Sequence, residues 1–445
     1  MKKSSILYTV ALTVILTCAM LFSMGCDYYP RTLVSSVVAD GSGGTIIVYE
    51  FDRSDSDEDI RIQRRGANGN VLWDNTLFTS QSNRSSVEGM TGDGEGNIII
   101  NWTVLIPQER EEGRPYSERA TVASVEAQGQ ILWQKDVHKK DVQAICDGSG
   151  SAIIIWHDMK ILCAQRIDGQ GNLLWEKCFS VSGYGLRLVI NEMGEALILR
   201  DNFDNNYFTV QKLSSSGEVL WGQEGVRINY LTTDDQQQPQ IVSDGSGGAI
   251  ITWAEVLLDK GQPASVFALR VGADGSILWK SPVRTLMSVV HPQTRVVSDG
   301  LGGAIAVWED HRQGMAIYAQ KVSTEGKALW RENGVPVCTD LPQVSPRFDA
   351  VVDGNGSVVV AWIDRDRKLY AQTIDAMGQR QWGDGILIST GNCDLPVKIS
   401  QDGQGGVIIG WATGYQVHHP KQAYVQRIDP DGKLLWGEEG IRLNP

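Results

Sequence analysis

Eight times along this chain a glycine stands four residues before a tryptophan: Gly69 and Trp73, Gly129 and Trp133, Gly171 and Trp175, Gly217 and Trp221, Gly275 and Trp279, Gly326 and Trp330, Gly378 and Trp382, Gly432 and Trp436. Between the first and last of these tryptophans the mean spacing is about 52 residues, the scale of a repeat that builds one propeller blade. A length of 445 residues would otherwise allow two or three separate domains. The repeat instead implies one array, and it accounts for a composition with 48 Gly and 14 Trp against 8 Phe.

Each copy carries four strand signals, seen most clearly between Arg295 and Trp330. A short apolar run, Arg295-Val296-Val297-Ser298, reaches Asp299-Gly300-Leu301-Gly302-Gly303, which reads as a chain reversal because glycine takes positive φ at little cost and Asp caps its own turn. A continuous apolar run follows in each copy, as in Ile46-Ile47-Val48, Ile98-Ile99-Ile100, Ile153-Ile154-Ile155 and Val358-Val359-Val360. Continuous rather than alternating hydrophobicity calls for cover on both faces, as in a sheet stacked between two other sheets. A third strand leads to the second glycine turn, and the fourth carries Leu-Trp.

No stretch has a useful helical period. The expected fold is therefore all-β: an eight-bladed β-propeller of four-stranded antiparallel blades, in preference to seven. It covers 33–445, with repeats near 33–80, 81–140, 141–182, 183–235, 236–291, 292–345, 346–395 and 396–445. The fourth copy is the most degenerate, with Asn191-Glu192-Met193-Gly194 in place of Asp-Gly-x-Gly. The eight repeat tryptophans read as wedges between blades. Burying one removes roughly 150–250 Å² from water, which is on the order of 4–6 kcal/mol before entropy is subtracted. Trp102, Trp156, Trp253, Trp308, Trp362 and Trp411, with Tyr49 and Leu199 in the equivalent places, read as a second core set.

Residues 1–25 read as an export signal, with Lys2 and Lys3 ahead of a charge-free apolar run from Ile6 to Phe22 and then Ser23-Met24-Gly25-Cys26. A Cys directly after Gly here resembles the lipobox of bacterial lipoproteins, with Ser23 in place of the usual Leu. The resemblance implies lipidation of Cys26, a tether over 26–32, and an extracytoplasmic protein anchored to the cell membrane or outer membrane. The run is also near the lower length limit of a membrane-spanning helix, so an uncleaved anchor is the other reading. The formal net charge of −13 becomes −15 without Lys2 and Lys3, which disfavours nucleic acid as a partner. Five cysteines remain beyond Cys18 and Cys26: Cys146, Cys163, Cys178, Cys338 and Cys393. Their spacing matches no metal knuckle, and they read as small buried side chains with at most one or two bridges.

The stretches Ala319 to Trp330 and Ala371 to Trp382 resemble the tryptophan-docking motif of the eight-bladed quinoprotein-like (PQQ-like) propellers, which ends Gly-x-x-x-Trp after an Ala-containing strand. Tandem Asp-Gly-x-Gly-Gly and Leu-Trp units also resemble repeats of bacterial surface and envelope lipoproteins. The resemblance spans about 33 to 445 and implies architecture more than activity. The family contains quinone-dependent dehydrogenases and also non-catalytic lipoproteins such as the scaffold of the outer-membrane barrel-assembly machine. The vicinal cysteine pair of some of those dehydrogenases does not occur here.

Alternating strand directions put both glycine turns of every blade on one face, with the second-to-third loops and the blade links on the other. Length variation concentrates on the latter, at Phe51–Glu58, Thr103–Glu118, Asn229–Gln238, Glu255–Ala264 and Thr413–Gln422, where binding is expected to lie. The binding-face candidates are Arg110, Glu111, Glu112 and Arg114 in one loop and the His418-His419 pair in another. The other histidines are dispersed and have no metal spacing. The alternating carboxylates from Asp52 to Asp59 come nearest to a Ca²⁺ loop, but lack its mid-loop glycine and distal Glu, and read as a solvated hairpin tip. No cofactor is expected, and no Gly-x-Ser-x-Gly elbow occurs.

The expected function is a non-catalytic binding or scaffolding lipoprotein of the bacterial envelope. Its expected form is a monomeric propeller held to the membrane by lipid, with an envelope protein or glycan as partner. The alternative is a carbohydrate-active or quinone-type enzyme with an axial active site. Mass spectrometry of the membrane fraction is expected to find an acylated N-terminal Cys26; a Cys26→Ala variant that is still processed and membrane-bound would refute this.

Overall fold

The computed structural model describes residues 32–443 apart from 53–56, 81–83, 108–115, 138–139, 149, 159–160, 181–183, 203–205, 231–238, 256–264, 286–292, 312–313, 342–347, 354 and 415–420. The described strands form eight four-stranded antiparallel sheets, each from one contiguous stretch: 32–79, 84–137, 140–180, 184–229, 240–285, 294–341, 348–389 and 393–443. These are the blades of an eight-bladed β-propeller, numbered 1 to 8 below. The first strand of each blade touches the first strands of both neighbours, so these strands ring the axis and the fourth strands form the rim.

The continuous apolar runs are the second strands. Every residue of Ala196–Asn202, Ala249–Glu255 and Ala304–Asp310 is buried, as sheets covered on both sides require. The second-strand tryptophans are in the core, with Trp102, Trp253, Trp308 and Trp411 fully buried. Cys163 and Cys178, directly opposed on neighbouring strands of blade 3, are joined by a disulfide, and Cys146, Cys338 and Cys393 are buried and free.

Where the first turn of a blade opens on Asp, as in blades 1 and 8, that acid holds it. Asp40 Oδ1 accepts the amides of Ser42 and Gly44 at 2.9 and 2.8 Å, and Asp402 Oδ1 those of Gln404 and Gly406 at 2.7 and 2.8 Å. The other oxygen takes a cation from the third strand: Arg64 Nε meets Asp40 at 3.0 Å, Arg270 Nε meets Asp244 at 2.8 Å, Arg427 Nε meets Asp402 at 2.8 Å, and Arg166 pairs with Asp147. In the degenerate fourth copy Asn191 keeps the turn bonds, to the amides of Met193 and Glu195, but offers no second carboxylate oxygen. Lys212 there pairs with Glu195 instead, at 3.0 Å.

The same cations reach into the next blade. Arg64 donates to the carbonyl of Ala127 at 2.7 Å, and Trp73 Nε1 donates to that oxygen at 2.8 Å. Ser215 receives Arg166 and Trp175, Thr324 receives Arg270 and Trp279, and Ala273 receives Lys212 and Trp221. Trp330 and Trp382 donate to Ala376 and Pro430 without a cation beside them. Trp133 Nε1 is buried and finds no acceptor among the described residues.

Each indole also lies against the turn glycine of the following blade, where a Cβ would meet it. At Gly378 (φ +81) the added atom would sit 2.7 Å from Trp330 Cγ, and at Gly217 (φ +82) 2.7 Å from Trp175 Cδ2. Each inter-blade core includes one of these tryptophans: Trp221 packs with Leu197 of blade 4 and Ile251 of blade 5, and Trp330 with Val307 of blade 6 and Val358 of blade 7. Trp133, Trp221, Trp330 and Trp436 are buried, whereas Trp73, Trp175, Trp279 and Trp382 keep part of the ring exposed at the rim.

The fourth strand differs between blades, which the repeat alone does not disclose. In blades 1, 2, 3 and 5 the Leu-Trp pair lies in a regular strand, such as Val71–Thr79 or Ile277–Thr285. In blades 4, 6, 7 and 8 the repeat tryptophan, preceded by Gln381 rather than Leu in blade 7, falls in an extra turn before the fourth strand, and a buried third-strand glutamine bonds that turn. Gln320 Oε1 accepts the Trp330 amide at 3.0 Å while its Nε2 donates to the Arg331 carbonyl at 3.0 Å. Gln372 and Gln426 do the same for Trp382 and Trp436.

The ring closes without strand exchange, because blade 1 is entirely N-terminal and blade 8 entirely C-terminal. The seam repeats the contacts of the other junctions: Trp436 Nε1 and Arg427 donate to the Ala67 carbonyl at 3.0 and 3.1 Å, and Trp436 lies against Gly69.

Trp330→Ala is expected to lower unfolding free energy by about 3–5 kcal/mol. Gly378→Ala is expected to destabilise by about 1–3 kcal/mol in the parent, through positive φ and collision with the indole, and by less beside Trp330→Ala. Denaturant melts of the two single variants and the double variant measure that coupling; strict additivity would separate the glycine from the wedge.

Candidate binding site at the axial mouth

The two faces differ as the strand directions require. The Asp-Gly and Gly-x-x-x-Trp turns share one face, and the second-to-third loops and blade links share the other. On the loop face the second and third strands of blade 2 run longer than their counterparts, over Ile98–Pro107 and Tyr116–Val125, and stay paired up to Pro107 opposite Tyr116. The described parts of the stretch from Thr103 to Glu118 are therefore strand rather than loop, as the β-branched Thr103, Val104 and Ile106 favour. Arg110, Glu111, Glu112, Arg114, His418, His419 and Cys26 lie outside the described residues. Four residues of the Asp52–Asp59 tip also lie outside, but its base is strand, with Asp52 opposite Glu58 and both Asp52 and Asp59 buried rather than solvated.

A cavity of about 520 Å³ opens beside the axis on this face, where the first strands of blades 2, 3 and 4 meet under the long hairpin. Glu88 comes from blade 2, Thr103 and Glu118 from its hairpin, Asp141 and Gln143 from blade 3, and Arg187 from blade 4. Burial pushes the Glu88 carboxyl above the usual carboxylate range. The Thr103 hydroxyl acts against that shift, and the charges of Asp141 and Glu118 add to it. Burial lowers the Arg187 pKa, and the nearby Arg295 lowers it further. Gln143 is fixed by donating Nε2 to the Leu186 carbonyl at 2.5 Å.

Across the axis the first strands of blades 6, 7 and 8 carry a second charged set. Arg295 pairs with Asp349 at 3.4 Å. Burial raises the Asp349 carboxyl, opposed by Arg295, Lys398 and the amides of Ala350 and Ile399. The axial opening is thus acidic on the side of blades 2 and 3, where the carboxylates outnumber the cations, and carries Arg187, Arg295 and Lys398 elsewhere. Such a lining suits a polar ligand with hydroxyl or cationic groups. Among the described residues, no group of three or more His, Cys, Asp or Glu is placed to hold a metal ion.

A larger hollow of about 680 Å³ lies at the rim between blades 7 and 8, lined by Ser389, Asn392, Gln422, Tyr424 and Glu438 among others. It occupies the gap left by the short fourth strand Ile386–Ser389. His138, His291, His418 and His419 lie outside the described residues, and His311 pairs with its near neighbour Glu309 at 2.7 Å. Elsewhere on the loop face Asp201 accepts the Tyr230 hydroxyl at 2.8 Å, and burial pushes its carboxyl up to about 6 despite that bond.

The sequence matches no family model and no curated protein. Among solved structures it is similar to the BP39L lectin from Burkholderia pseudomallei, at 12% identity and TM-score 0.50 over 77% of this chain and 95% of that one. The chains so related are β-propellers. The likeness extends to the fold alone. A prolyl endopeptidase chain is matched at 14% identity and TM-score 0.42, over 97% of this chain and 53% of that one, and an acylaminoacyl peptidase from Pyrococcus horikoshii at 11% and 0.44, over 81% and 52%. The chain thus spans about half the length of these peptidases.

A raised carboxylate pKa makes the folded state hold a proton that the unfolded state releases. The stability contributed by protonated Asp201 is therefore complete below the unfolded value near about 3.9 and lost as pH rises through about 6. After discount for residual solvent screening the loss is about 1–2 kcal/mol. Asp201→Asn is expected to gain on the parent by that amount between pH 4 and pH 7.5 in urea melts, and a pH-independent difference would contradict the assignment.

Proposed function

We propose that this chain is a non-catalytic binding or scaffolding β-propeller lipoprotein of the bacterial cell envelope, held to a membrane by acyl chains on Cys26, with the axial mouth as its binding site. The observation that carries the binding reading is the cavity where blades 2, 3 and 4 meet. Three carboxylates, one guanidinium and fixed amide and hydroxyl groups converge there on about 520 Å³, beneath a hairpin that no other described blade matches in strand length. Rigid first strands hold most of these groups, so little ordering cost falls on binding. Kinship with the quinoprotein-like propellers is supported by the repeated docking of an indole on the next blade's glycine. The partner's chemistry follows from the lining: an envelope glycan or a polar protein segment presenting hydroxyl or cationic groups.

One observation favours the second reading, a carbohydrate-active enzyme. Burial, with the charges of Asp141 and Glu118, raises the Glu88 carboxyl, and an acid raised in this way with a second carboxylate near it is the arrangement glycoside cleavage uses.

Replacing Ile106 to Ser117 with a two-residue turn, or Arg187 with Ala, is expected to abolish retention of a partner from envelope extracts and binding in an oligosaccharide panel. Thermal melts should stay near the parent. Unchanged binding by both variants would remove the cavity from the function. Turnover of fluorogenic glycosides by the parent, lost in Glu88→Gln, would replace the binding reading with the enzymatic one.

A further inference from the structure

The start of the first strand fixes where any N-terminal anchor can pull. Thr32 is buried, pairs with Phe51, and donates its amide to the Lys421 carbonyl at 2.8 Å, so blades 1 and 8 clamp it at the loop face. Because first strands ring the axis, the chain enters the propeller beside the axial mouth. From Cys26 to Thr32 there are six residue steps, which at full extension span no more than about 20 Å. The opposite face lies a further strand away: Thr32–Ala39 has 8 residues, roughly 25 Å of rise. The rim is about 15 Å to the side, three inter-strand spacings from first strand to fourth.

We propose that the loop face is the membrane-facing surface of this protein, and that the axial cavity opens toward the bilayer across a gap of no more than about 20 Å. This rests on lipid attachment at Cys26 as read above. A tether of that length cannot bring the glycine-turn face to the bilayer, because the chain would have to pass around the rim and down the full strand height. The long hairpin fits the gap. Ile98–Pro107 has 10 residues against 7 in Ala152–Asp158, an excess worth about 10 Å of reach on this face. The acidic lining of the mouth does not oppose the arrangement, since charges more than a Debye length of about 8 Å from the lipid surface are largely screened. The glycine-turn face, with Leu301 and Met377 each 78% exposed, points away from the membrane. A ligand of the cavity is then borne on the lipid surface or enters sideways between the bilayer and the loop face.

The test uses the full-length acylated protein in phosphatidylethanolamine and phosphatidylglycerol vesicles containing headgroup-spin-labelled lipid. A fluorophore is placed either on Thr390→Cys, in the exposed link between blades 7 and 8 on the loop face, or on Met377→Cys on the glycine-turn face. Cys146, Cys338 and Cys393 are buried and Cys163 is bonded to Cys178, so the parent serves as the unlabelled blank. At least threefold stronger quenching at Thr390→Cys is expected, and the bias should vanish when a thirty-residue Gly-Ser linker is inserted before Thr32. Equal or stronger quenching at Met377→Cys in protein that floats with the vesicles would overturn the orientation alone. A bias that survives the long linker would overturn the tether as its cause, and protein that fails to float would overturn the anchor and the orientation together.

Discussion

The indole of each repeat tryptophan lies on a turn that has no side chain where the ring passes, and the rest of the propeller depends on that contact. A blade cannot bury both of its faces alone. The indole supplies apolar area, and in seven of eight junctions a hydrogen bond to a carbonyl beside the glycine sets the angle at which the next sheet arrives. The Asp–Arg pairs act at the same point. Asp40, buried beneath Arg64, fixes a cation whose far end reaches the same oxygen as Trp73, so turn, third strand and neighbouring blade are joined in one network. Burying such a pair contributes little net stability, but it leaves few alternative positions for the next blade.

Much of this was legible because it repeats. The Gly-x-x-x-Trp spacing disclosed the blade number, and continuous runs such as Ile153-Ile154-Ile155 disclosed strands covered on both sides. The cations of the junction network repeat as well: Arg64, Arg166, Lys212, Arg270 and Arg427 each stand five residues before the turn glycine. That signal was available, but charged residues in a strand read as solvent-facing until the neighbouring carbonyl is placed. The two forms of the fourth strand depend on Gln320, Gln372 and Gln426, whose bonds to the chain eleven residues on are not a local pattern.

The axial cavity was not legible for the opposite reason. Glu88, Asp141 and Arg187 come from three repeats, at positions where the repeats do not agree, and only ring closure brings them together. The sequence directed attention to the loop face through length variation, and the cavity opens on that face, nearer the axis than the variable loops. The carboxylates around Asp52 and Asp59 show the limit of reading charge alone. They alternate as exposed residues do, yet pairing of Asp52 with Glu58 continues the strands and draws both aspartates inward.

The seam between blades 8 and 1 has the same chemistry as the junctions within the chain, since Trp436, Arg427, Ala67 and Gly69 repeat what Trp73, Arg64, Ala127 and Gly129 do. Among the described residues no terminal strand crosses the seam as a latch, so the described ends do not dictate blade number. It follows from the rotation each junction imposes, about 45° for a closed ring of eight. In evolutionary terms such a ring can gain or lose a unit by duplication or deletion anywhere along the gene, provided the junctions relax to the new angle. The break between blades 8 and 1 is then one of eight chemically similar junctions at which such a ring could open.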